Sequence, residues 1–255
     1  MTIVPAGHGW LWIKHGLALV GRAPLGWMIV SLSYWTVMIF ASRLPYLGLL
    51  VASLVTPALA MSFMAILRAL DRDRGRGLEL ALAADGFKRN LPALVTLGGV
   101  QLAVMLAIFS ATALADGGTL ARWSLSGRNP APGQAGLASA IAIALALWVP
   151  MQLAFWFAPV LAAWHGMPAP KAIFFSFFAS LRNWRAFLVY GLAGAAALGL
   201  ATALLYNLQR TPSGPQVVPT IAFLMLVVFI PVYYATAYAS YRDVFPDGRE
   251  KATPA

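Results

Sequence analysis

From Ala23 to Ser42 the chain runs 20 residues without a charged side chain, and five further runs of at least that length follow. An α-helix rises 1.5 Å per residue, so about 20 residues cross the ~30 Å hydrocarbon layer of a bilayer. A backbone in that layer has to satisfy its own hydrogen bonds, which leaves helices or a closed barrel. Unbroken apolar runs select the helices, because barrel strands alternate. Of the 255 residues 60% are hydrophobic and 10% charged, with a mean hydropathy of +0.75, outside the range of a water-soluble core. The expected fold is all-α and polytopic, with six transmembrane helices and amphipathic interfacial helices. One integral membrane domain spans 1–245, and 246–255 is expected as a flexible cytoplasmic tail.

Gly7 to Arg22 is too short and too charged to cross. At about 100° per residue Trp10, Ile13, Leu17 and Val20 share a stripe, while His8, His15 and Arg22 line the opposite side with Lys14 on its flank. Trp12 and Leu19 interrupt that polar side. Such a helix suits the headgroup layer. A cleavable signal peptide is not expected, since the apolar run that follows is long and no small-x-small cleavage site is clear. Span one is Pro24 to Ser42, and span two runs from Tyr46 to about Leu70 with a kink at Thr56-Pro57. A surface helix is expected from about Leu78 to Arg89, then span three from Leu91 to Ala115. Asp116 to Gly136, rich in glycine, proline and serine, reads as a loop. Span four, Leu137 to Trp164, is long, and Pro150 and Pro159 invite a bend. Pro168 to Asn183 is the third surface segment, Trp184 to Asn207 span five and Pro219 to Tyr241 span six.

The net charge of +10 fits a nucleic acid or a membrane, and the position of the cations decides. They sit in loops beside apolar spans, with no basic soluble domain, so no nucleic-acid partner is expected. With both ends on one side, that side carries fourteen of the 18 Lys and Arg, and the positive-inside rule then puts both termini in the cytoplasm. Candidate contacts for anionic membrane lipids or a membrane-protein partner are Lys14, Arg22, Arg68, Arg72, Arg76, Lys88, Arg89, Lys171, Arg182 and Arg185. A basic residue near an anionic leaflet is worth about 1 kcal/mol. The acids interleaved between Leu67 and Asn90 also allow that stretch to be a plain solvated loop.

Arg89-Asn90-Leu91-Pro92-Ala93-Leu94-Val95 aligns with Arg182-Asn183-Trp184-Arg185-Ala186-Phe187-Leu188 at an offset of 93, each after a surface segment. Arg22 with Pro24 and Trp27 is a weaker third copy. Pro57 precedes Arg68 by 11 and Pro231 precedes Arg242 by 11, with Ser62 and Thr236 each five after the proline; Pro150 fits loosely. These matches read as three units of surface helix plus helical hairpin, with chance similarity among six apolar spans as the alternative.

No ionisable residue lies deep in a span, which argues against a pump or ion-coupled carrier. Gln101 and Gln152 are the candidate intramembrane polar residues, and Ser62 and Thr236 suit interhelical hydrogen bonds. Gly191, Ala195 and Gly199, and Ala138, Ala142 and Ala146, offer close-approach faces. Nucleophile elbows, HExxH, phosphate-cradling loops and intramembrane carboxylate pairs are missing, and without cysteine there is no thiolate chemistry. His8 and His15 read as interfacial polar residues, and His165 as a headgroup-level neighbour of Trp164. Asp85 is expected to cap, or to pair with Lys88 or Arg89. No catalytic residue, metal or cofactor is expected.

Four stretches carry a resemblance: Gly9-Trp10-Leu11-Trp12 with Gly16, Arg22, Pro24 and Trp27; Asp85-Gly86-Phe87 with Asn90; Pro159 with Pro168, Ala172, Ser176, Asn183, Trp184 and Tyr190; and Tyr238-Ala239-Ser240-Tyr241-Arg242-Asp243. They resemble proteobacterial inner-membrane proteins with six predicted helices, distantly similar to YciC-type proteins and to the membrane domain attached to some glycerophosphodiester phosphodiesterases. The resemblance implies an inner-membrane location and brings no catalytic residues; the phosphodiesterases' soluble catalytic domain is not expected here. Two functions follow as expectations. The first is a non-enzymatic module whose surface helices and basic rim engage lipids or a partner. The alternative is a passive permease for a small or amphiphilic solute, through a cavity near Gln101 and Gln152.

Overall fold

The computed structural model describes residues 1–43, 47–73, 78–126, 130–131 and 133–246; the tail from 247 onward and Arg76 lie outside them. Every regular element among the described residues is helical. Five helices are long and apolar enough to cross a membrane: α3 (Leu47–Arg72), α5 (Leu91–Asp116), the broken pair α7 (Leu137–Phe155) and α8 (Ala158–Trp164), α10 (Trp184–Gln209) and α11 (Gly214–Val244). A sixth candidate is α2 (Pro24–Ser42), whose 19 residues rise roughly 28 Å and which counts as a span only together with the helix before it. It meets α1 (His8–Val20) at a bend of 97°, so α1 lies across it.

The face that α1 buries differs from the expected stripe. Gly9, Trp12, Gly16 and Leu19 are buried, whereas Trp10 and Leu17 remain 48% and 52% exposed. On a membrane-surface helix both sides are apolar, one against lipid and one against protein, and the glycines mark the protein side. A Cβ at Gly9 would overlap the carbonyl of Ala186, and one at Gly16 would come 2.7 Å from the Thr236 methyl.

The expected surface helix from Leu78 to Arg89 is a 3₁₀ turn, Leu80–Ala84, followed by one turn of α-helix, α4 (Asp85–Lys88). Gly86 lies against the Ala58 carbonyl with no room for a side chain, and its N–H donates to Ser62 Oγ at 3.3 Å. Asn90, at φ 47° in the left-handed region, ends the turn, and its side-chain amide donates to the carbonyls of Ala162 (2.8 Å) and Met167 (3.2 Å). The expected loop after α5 contains α6 (Thr119–Ser126). Asp116 Oδ1 and Oδ2 accept from the N–H groups of Gly118 (2.8 Å) and Leu120 (2.6 Å), satisfying backbone donors at the start of α6.

The long fourth span breaks after Phe155, just before Pro159, which supplies no N–H. The hydroxyl of Ser176, on the surface helix α9 (Ala169–Arg182), fills the gap. It accepts from Phe157 N–H at 2.9 Å and donates to Leu153 O at 3.1 Å, standing in for the helical bond those two groups would otherwise make.

Surface elements and spans follow one rule. The 3₁₀ turn and α4 pack on α3, α9 packs on α7 and α8, and α1 packs on α11. Each surface element therefore rests on the second span of the unit before it, and the first closes on the last. Ser62 and Thr236, each five residues after the proline of its span, both stand where a glycine of the next surface element arrives, Gly86 and Gly16. The expected small-residue faces are not used this way: Gly191, Ala195 and Gly199 in α10 and Ala138, Ala142 and Ala146 in α7 are exposed, and no atom of another element is near Gly191 or Gly199. Close approach occurs where helices cross, and these crossings fall at Gly9, Gly16, Gly86 and Gly98.

Candidate binding site

The second spans of the three units, α3, α7–α8 and α11, line two neighbouring cavities, the first with Gln101 of α5 added. The inner one, about 90 Å³, lies at the proline bends, with Pro57, Pro159 and Tyr233 around it and Gln101 and Gln152 as its amides. Gln152 and Tyr233 share its lining. At roughly 30 Å³ of liquid per water, this volume suits about three waters or a group of that size. The outer cavity, about 300 Å³, begins one turn further on: Met64 gives way to Arg68, Val160 to Trp164 and Ala237 to Tyr241. Four residues of helix rise about 6 Å, which is the offset between these lining pairs along each helix.

Charge collects in the outer cavity. Arg68, Arg72 and Arg242 line it, with Asp71 as its carboxylate and Trp164, Tyr238, Tyr241 and Phe245 as its aromatic walls. The Arg68 guanidinium lies 4.7 Å from the Trp164 ring centroid, and that of Arg242 5.8 Å from Tyr238, within cation–π range. Arg242 ion-pairs with Asp71 Oδ2, which also accepts from the Tyr238 hydroxyl at 3.1 Å. Tyr241 shares a hydrogen bond of 2.8 Å with His165 Nε2. The vestibule is therefore an aromatic-walled space lined by three guanidinium groups.

The residues before α1 meet the end of α11 on this face. Thr2 N–H donates to Val244 O at 2.9 Å. Asp243 Oδ2 bonds His8 Nδ1 (2.7 Å) and accepts from Trp12 Nε1 (2.8 Å). Val4 N–H donates to Asn183 Oδ1 at 2.8 Å. Among the described residues no three His, Asp or Glu side chains gather into a metal-holding set.

No family model matches the chain, and no solved structure matches it. Probable inner membrane protein BTH_II0599 of Burkholderia thailandensis is 35% identical over 252 residues, which cover 95% of this chain and 92% of the relative. The chain belongs to this inner membrane protein family. Its apolar helices and the inner-membrane part of the expected resemblance agree with that assignment.

Of the residues singled out in this inner membrane protein, Arg68 and Arg72 enter the vestibule, and Gln101 and Gln152 line the inner cavity. Arg22 reaches the Leu70 carbonyl near the end of α3 at 3.4 Å. Lys14 over Trp10, Lys171 over Phe175 and Arg185 over Trp184 form separate cation–aromatic pairs at 5.6–5.9 Å on the outside, where Arg182 and Lys88 are also exposed. Arg89 pairs with Asp85 at 2.8 Å, one of the two partners expected for that acid. His8 is more than an interfacial polar residue, since it anchors α1 to Asp243. Arg242, Asp71, Trp164, Tyr238 and Tyr241 were not on the candidate list. The signal was the shared spacing of 11 residues from Pro57 to Arg68 and from Pro231 to Arg242, which sets both arginines roughly 16 Å beyond their prolines.

Proposed function

We propose that this inner membrane protein is a non-enzymatic module that binds the headgroup of an anionic membrane lipid in the Arg68–Arg72–Arg242 vestibule. The vestibule and both chain ends face the cytoplasm on this reading, as the distribution of Lys and Arg supports. The observation that carries the proposal is the convergence of three arginines from two helices on one aromatic-walled cavity whose carboxylate is Asp71. Arginine forks suit phosphate oxygens, and the exposed Phe174 and Phe178 of α9 with Trp184 of α10 give the molecule an apolar footing for a bilayer. At about 1 kcal/mol per basic residue, the double variant Arg68→Ala/Arg72→Ala should retain about thirtyfold less anionic lipid in nanodiscs. Retention equal to the parent protein's would refute the proposal. Labelling of a terminal tag from outside intact cells would refute the orientation.

The inner cavity favours a second reading, a passive permease for a small uncharged solute, because amides and hydroxyls line it and its described lining holds no Asp, Glu, His, Lys or Arg. Glycerol entry into proteoliposomes, abolished by Gln152→Leu, would support that reading; flux equal to that of empty liposomes would exclude it. On either reading the chain is a distant relative of YciC-type proteins and of the phosphodiesterase-attached membrane domains. A solved member of those groups lacking the packing of surface element on preceding span would remove that link.

A further inference from the structure

Asp71 does more in the vestibule than hold a helix end. Its Oδ2 atom accepts from both Arg242 and Tyr238, so one of the three guanidinium charges is already matched. Among the described residues Arg68 and Arg72 have no carboxylate within ion-pair distance. They stand at i and i+4 on α3, where like charges repel and destabilise the helix, and their charges are close enough to oppose one another. A helix C-terminus welcomes cations in general. That explains Arg72 at the end of α3, yet not Arg68 one turn further in, turned onto Trp164 and half-buried. The cavity therefore presents two open positive charges beside one closed ion pair.

Resting on the lipid-binding reading, we infer that the vestibule selects a phosphomonoester headgroup, with Arg68 and Arg72 as its direct ligands and Asp71 as the residue that sets the charge it accepts. A phosphomonoester carries about −1.5 to −2 charge near pH 7 and three acceptor oxygens. Both arginine forks then find oxygen partners, and the repulsion along α3 is relieved. A phosphodiester headgroup has one negative charge, which leaves one guanidinium unmatched. Asp71 keeps Arg242 from adding a third open charge.

The test uses the full chain in phosphatidylcholine nanodiscs doped equally with phosphatidic acid or phosphatidylglycerol, with retained lipid read by native mass spectrometry. Phosphatidic acid should be enriched about tenfold over phosphatidylglycerol, and Arg72→Ala should erase the difference. Asp71→Asn, which frees Arg242, should raise retention of both lipids; a purely structural ion pair predicts loss, so unchanged or lower retention in folded Asp71→Asn protein overturns the role given to Asp71. Equal retention of the two anionic lipids, both above phosphatidylcholine, overturns the charge selection and leaves lipid binding standing. No enrichment of either overturns both. Glycerol 3-phosphate competing at the same concentration as phosphatidic acid supports the phosphomonoester and overturns its membrane source. Thermal melts of each variant separate lost binding from lost folding.

Discussion

Single atoms decide how closely the surface elements approach the spans. Gly86 and Gly191 are both glycines in helices, yet a methyl group at Gly86 would overlap the Ala58 carbonyl while one at Gly191 meets open space. Gly86→Ala should lower stability by roughly 1–3 kcal/mol, the usual cost of overpacking. Gly191→Ala should be neutral or stabilising by up to about 1 kcal/mol. Thermal unfolding in mild detergent compares the two directly, and equal effects would contradict the described contacts. Asp243 is the other residue with leverage, because one oxygen serves both His8 and Trp12. Asp243→Ala leaves the buried indole N–H without its acceptor, at about 1–3 kcal/mol.

Elements were legible where uncharged length defines them, and less so where contacts do. The helices beginning at Pro24, Leu91 and Trp184 start where the runs and their preceding polar residues indicate. The break after Phe155 was announced by Pro159, but not the agent that heals it, because Ser176 lies 19 residues downstream of Phe157. Likewise α6 depends on Asp116, whose capping bonds leave no periodic trace in the sequence. The buried side of α1 was missed because hydropathy does not distinguish lipid from protein as a neighbour. The vestibule was half visible: its arginines lie at charge-rich span ends, while Trp164 and Tyr238 look like ordinary boundary aromatics. Ser176→Ala tests the healed break. Both Phe157 N–H and Leu153 O lose their partner, so faster hydrogen exchange around residues 153–157 is expected, with about 1–3 kcal/mol lost per unsatisfied group. Ser176→Thr, which keeps the hydroxyl, should restore much of the protection.

At the scale of the molecule the three units form a closed circuit, each surface element seated on the preceding hairpin and α1 seated on α11. Closure is testable without background, since the chain has no native cysteine. A His8→Cys/Asp243→Cys pair replaces side chains that meet at 2.7 Å, and a short bifunctional thiol reagent should link the two cysteines within one chain in native membranes. Failure to cross-link while each single cysteine remains reactive would mean that the circuit is open. Closure of α1 onto α11 also sets an order of events during synthesis. α1 precedes both of its seats along the chain, so Trp12 completes its contacts with Phe187 of α10 and Asp243 of α11 only after those helices are made. The Trp12 indole meets Asp243 only then, one residue from the Arg242 that lines the vestibule.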